Sequence, residues 1–166
     1  MTNAVYAAAA AVAVLLGGGT AAVSTMQSGI EEVTIPDLPY APSNALDGRS
    51  FFIEAEIVGW DGIETDELIF RDGHFISLDC QEACDFGWTG YEAWEDGETI
   101  HFTVTTRCSE APHEVVWVGE VIGEAVTVDV VWTTRRWYWR HQIVGTGEGP
   151  GIVAPEGTPP PLLVNG

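Results

Sequence analysis

Lysine is absent from the sequence, and the six basic residues are all arginine (Arg49, Arg71, Arg107, Arg135, Arg136 and Arg140) against 25 acidic ones. A formal net charge of −19 excludes binding to nucleic acid, and to an anionic membrane, through broad cationic patches. The acids are dispersed along the chain and not gathered in blocks, which reads as a solvated, self-repelling exterior.

Helical periodicity is missing too. No stretch of useful length between residues 49 and 144 carries apolar residues at helical spacing, which excludes bundles and alternating α/β folds. H-E-x-x-H, H-x-H and G-x-S-x-G do not occur, and His74, His101, His113 and His141 are widely spread. No metal and no cofactor is therefore expected. A zinc site from Cys80, Cys84, Cys108 and a histidine is disfavoured by the cysteine spacing. Gly145-Thr146-Gly147-Glu148-Gly149 looks like a phosphate loop, but Pro150 follows and no helix does. Asp79, Asp85, Glu95 and Asp96 offer carboxylates, and Ser77 and Ser109 hydroxyls, without a visible tuning partner. The expectation is a protein that is not an enzyme.

A membrane-spanning run is lacking as well. The dense apolar stretch Ala4 to Leu16 covers 13 residues, about 20 Å as a helix against a hydrocarbon core of ~30 Å. Gly17 to Gly19 interrupts it, and Ala22-Val23-Ser24 offers a small-residue cleavage site. Residues 1–24 thus read as a signal peptide, with an exported product and no stable membrane insertion after cleavage. The alternative is a single-pass N-terminal anchor, since Met1-Thr2-Asn3 has no Lys or Arg. No cysteine follows to carry a lipid.

What is present is period-2 alternation, which puts successive side chains on opposite faces of a sheet. The stretch from His113 to Gly145 reads as three strands. Val115, Trp117, Gly119 and Val121 share one face of the first, and Val126, Val128, Val130 and Trp132 one face of the second. Trp137, Trp139, His141 and Ile143 share one face of the third, with connectors at Ile122-Gly123-Glu124 and Thr133 to Arg136. Five more strands precede them, over residues 51–58, 67–71, 74–79, 88–94 and 99–106, with hairpin signals at Asp72-Gly73 and Glu95-Asp96-Gly97. Eight sequential strands would leave two exposed edges, and closure removes both. The expected fold is all-β, an eight-stranded antiparallel up-and-down barrel over residues 48–145. Residues 25–47 read as a Pro-containing linker, and 146–166 as a Pro/Gly-rich disordered tail.

Asp66-Glu67-Leu68-Ile69-Phe70-Arg71-Asp72-Gly73-His74-Phe75 through Ser77 and Cys80 fits D-x-L-x-F-x-D-G-x-F-x-S-x-x-C. With Phe86-Gly87, Tyr91, Gly97, Ile100-x-Phe102, Trp117-x-Gly119-x-Val121 and Arg136-Trp137-Tyr138-Trp139, it resembles a family of small secreted bacterial β-barrels of lipocalin-like (calycin) shape. The resemblance covers about Leu46 to Gly145. It implies the barrel and export, and supplies no activity. Cys84 and Cys108 depart from the family pattern, which has a lone cysteine at position 80.

The three cysteines suit one disulfide and one free thiol. Cys80 and Cys84 flank the third-to-fourth connection, and either can approach Cys108 on the shared rim. Cys84, on the looser side, is the expected partner, leaving Cys80 as a small apolar core group.

An eight-stranded interior holds packed side chains or one small ligand. The expected function is an exported, non-catalytic binding module for a small hydrophobic or amphipathic molecule, with Trp117, Trp132, Trp137 and Trp139 at the pocket. Arg136 or Arg140 would grip an anionic head. The alternatives are an envelope scaffold or protein-interaction barrel with a filled core, and, third, a small-barrel enzyme.

Overall fold

The computed structural model describes residues 24–26, 30–32 and 42–161. The chain divides into two compact units, Met1–Pro39 and Tyr40–Gly166. In the first, β1 (Ser24–Met26) and β2 (Ile30–Glu32) pair antiparallel, and all but Ser24 of these residues fall in the stretch expected as linker. The expected signal segment, Ser24 apart, lies outside the described residues.

The second unit carries β3 (Ser50–Ile57), β4 (Ile63–Arg71), β5 (His74–Ser77), a short helix α1 (Leu78–Cys84), β6 (Thr89–Asp96), β7 (Thr99–Arg107), β8 (His113–Ile122), β9 (Ala125–Arg136) and β10 (Trp139–Ile152). The eight strands β3 to β10 form one closed antiparallel sheet, each beside its chain neighbours, with β10 returning to β3. Alternation sets which face turns in. On β3, Phe51, Ile53 and Ala55 are buried while Glu54 and Glu56 are exposed. The β4–β5 hairpin turns on Asp72 and Gly73, at φ of 50° and 75°. Left-handed backbone at both central residues matches the twist of the flanking strands, and glycine adopts it without steric cost.

Phe70 is the hub of the interior, with ring centroids 5.1 to 6.1 Å from Phe102, Phe75, Tyr91 and Phe51. The four phenylalanines are fully buried, each contributing about 1.5–3 kcal/mol by leaving water. Next to them Gly119 makes room, because a Cβ there would lie 2.5 Å from the Phe102 ring. The turn at residues 45–48 closes this end of the sheet by inserting Leu46, also fully buried. Asp47 holds it there, its Oδ1 accepting bonds from the Gly73 N–H (2.8 Å) and the Tyr91 hydroxyl (2.9 Å). Part of the expected linker is thus a plug.

Three further expectations are corrected. Residues 146–152 belong to β10 and not to a tail, with Gly147 paired to Ala55 and Gly151 to Phe51. Close approach between β10 and β3 requires the glycines: a Cβ on Gly149 would sit 1.8 Å from the Phe52 carbonyl oxygen. The last hairpin turns at Trp137-Tyr138 and not at Thr133 to Arg136, because β9 runs on to Arg136. Finally, the chain after Ser77 is helical where a strand was expected through Asp79.

Candidate functional site

The Leu46 end is filled, and the opposite end is not. Here β5 stops after four residues and pairs with β6 only at His74↔Gly90 and Phe75↔Thr89. Helix α1 takes over the wall where the ladder ends, and above it lies a cavity of about 300 Å³.

Register explains its apolar lining. Trp117 pairs with Val130, Val130 with Gly145 and Gly145 with Ile57, forming one inward row across β8, β9, β10 and β3. Val115, Trp132 and Ile143 form the next row out. Ile53 and Ala55 complete this wall, and Trp60, from the β3–β4 connection, stands at the mouth. The opposite wall is Glu64, Thr65 and Asp66 of β4 with Asp79, Cys80 and Ala83 of α1.

Asp66 fixes α1 in place. Ser77 is the N-cap, its Oγ accepting from the Cys80 N–H at 3.1 Å, so that one of the helix's unpaired donors is satisfied. The same hydroxyl donates to Asp66 Oδ2 at 2.5 Å, while Oδ1 accepts from the N–H groups of Glu67 (2.7 Å) and Asp79 (3.1 Å). Burial nevertheless dominates: desolvation pushes the Asp66 carboxyl up to about 6, and the three bonds only partly offset it. Asp79 is shifted the same way by partial burial and by repulsion from Glu82 and Glu64. Burial pushes the Cys80 thiol up to about 12, so it packs as an apolar group and not as a nucleophile.

The far end of α1 is tied by the expected disulfide. Cys84 and Cys108 are bonded with their Cα atoms 5.6 Å apart, and Cys80 is free and buried. The bridge joins the helix to the residue that follows β7.

Of the candidate site residues, Trp117 and Trp132 line the cavity. Trp137, Trp139, Arg136 and Arg140 do not. Their place in the alternation is sound, since Ile143 on the same face of β10 points inward. However, β8 begins opposite Thr134, and β10 meets β3 only from Gly145 onward. The hairpin therefore projects past the rim, leaving Trp137 94%, Tyr138 65% and Trp139 42% exposed. Arg136 and Arg140 are exposed beside them. Sequence reading missed Trp60, Glu64 and Asp66; the Asp66-to-Ser77 spacing within the family-like motif carries the one visible signal.

Comparison with protein-family models, curated proteins and solved structures finds no match. Among the described residues, no group of three or more His, Cys, Asp or Glu side chains is placed to hold a metal ion. No helix among them is long and apolar enough to cross a membrane. The disulfide is compatible with an exported protein.

Proposed function

We propose that the protein is an exported, non-catalytic, calycin-like barrel that holds a small hydrophobic or amphipathic molecule. One observation carries this reading: a cavity of about 300 Å³ walled by Ile53, Ile57, Val115, Trp117, Trp132 and Ile143 at the unfilled end of the closed sheet. That volume is at the lower end of ligand pockets, ~300–1,000 Å³. Eight strands enclose about enough room for one such molecule. The order of the strands supports the up-and-down calycin reading, and the disulfide supports export.

The test is a titration of intrinsic Trp fluorescence with small aromatic and alkyl compounds. Saturable quenching is expected, at least ~tenfold weaker in Trp132→Ala and unchanged in Trp137→Ala. The exposed aromatic tip of the β9–β10 hairpin favours a second reading, a protein-interaction barrel. A response lost in Trp137→Ala and kept in Trp132→Ala would favour it.

A further inference from the structure

We propose that the molecule held in the cavity is a small organic cation, an apolar body carrying an ammonium group. The inference rests on the binding reading above and names the chemistry of its ligand.

The cavity has two unlike sides. On β3, β8, β9 and β10 the wall is aliphatic and indole, with Trp117 and Trp132 inside and Trp60 at the mouth. On β4 and α1, it carries Glu64, Asp66 and Asp79. Among the described residues, no basic side chain lines it. Arg136 and Arg140, the residues suited to an anionic head, lie on the projecting hairpin. None of the ion pairs among the described residues involves Glu64, Asp66 or Asp79.

Both sides favour the same head group. Asp66 is committed to the N-terminal end of α1 through its three hydrogen bonds, so it contributes negative potential and not a free contact. Partial burial and repulsion from Glu82 raise the Asp79 carboxyl, and repulsion between Glu64 and Asp79 adds to this. A cation between them reverses that repulsion, whereas a carboxylate ligand deepens it. Indole faces attract ammonium groups, and aromatic surfaces beside acids are a recurrent way to recognise them. A bare metal ion does not fit, because the acids do not converge as ligands. An organic ammonium needs only proximity to the carboxylates and apolar surface for its body.

Three probes with one phenylalkyl body and different heads separate the possibilities: phenethylamine, phenethyl alcohol and hydrocinnamate, titrated calorimetrically into the full chain. The amine should bind at least about tenfold tighter than the alcohol, and hydrocinnamate more weakly than either. In Glu64→Gln/Asp79→Asn the amine's advantage should fall below about threefold with the alcohol's affinity kept. Asp96→Asn/Glu98→Gln, at the β6–β7 turn on the opposite end of the sheet, controls for the whole-molecule charge and should leave the advantage intact. Equal binding of amine and alcohol to the wild type overturns the inference while leaving the cavity reading standing. So does an advantage that survives Glu64→Gln/Asp79→Asn, or that the distant pair removes equally. Should none of the three bind, the cavity reading fails and the inference with it.

Discussion

Asp66→Asn should remove a share of the pH dependence of stability as well as lowering stability at every pH. Asp66 is 8% exposed, and its carboxyl is raised from its ordinary 3.8 to about 6. Between those values the folded chain holds a proton that the unfolded chain has released. The stabilisation is therefore full below about pH 4 and is lost as pH rises through about 6, reaching ~3 kcal/mol in total. Between about pH 7.5 and about pH 5, Asp66 alone should add on the order of 1 kcal/mol. Urea unfolding at the two pH values measures this directly. Relief of general self-repulsion among the acids acts in the same direction, and Asp79 does too. The comparison with Asp66→Asn removes both contributions, because the variant keeps them and lacks only the Asp66 share. The asparagine cannot accept all three hydrogen bonds, so a loss common to both pH values is also expected, about 1–2 kcal/mol. Parallel pH profiles for wild type and variant would refute the assignment of a buried, proton-binding carboxylate holding α1.

Replacing Cys84 and Cys108 together by serine should cost ~3.5 kcal/mol in the chain-entropy model for a sequence separation of 24, measured as a shift of the urea midpoint. A shift under about 1 kcal/mol would mean that the unfolded chain is already constrained. Cys80 should resist thiol reagents in the native state and react on unfolding, because it is buried and its pKa is raised; rapid native labelling would contradict its placement. Gly149→Ala should lower stability by more than about 3 kcal/mol or prevent folding, because its Cβ would meet backbone at 1.8 Å. Circular dichroism and thermal unfolding decide that point, and a variant with wild-type stability would remove β10 from its place beside β3.

The strands were legible wherever alternation was written in large apolar residues. Val115, Trp117 and Val121 face inward on β8, and Val126 and Val128 on β9, as their spacing requires. The end of β10 was missed for a physical reason. Its alternation is Gly145, Gly147, Gly149 and Gly151, and an inward row without side chains reads as a loop. The β9–β10 turn lacks the Gly, Asn or Asp that marks a hairpin, so its position slipped. Helix α1 is too short to show periodicity, and its cue was Ser77 placed to cap the Cys80 N–H. The cavity was half legible. Trp117 and Trp132 follow from strand faces, but the acidic wall depends on α1 folding back beside β4, a tertiary contact that local pattern does not encode. The projecting hairpin shows the same limit: parity gave Trp139 the correct face, and only the lengths of the neighbouring strands put it beyond the rim.

The most direct test of a ligand-holding cavity is a two-dimensional NMR titration of the full chain with phenethylamine, following indole N–H and methyl signals. The shifts should concentrate on Trp117, Trp132, Ile53, Ile57 and Ile143, which line the cavity, and should spare Trp137 and the Phe70 cluster. Shifts confined to Trp137, Tyr138 and Trp139, or no saturable shift with any head group, would contradict the account.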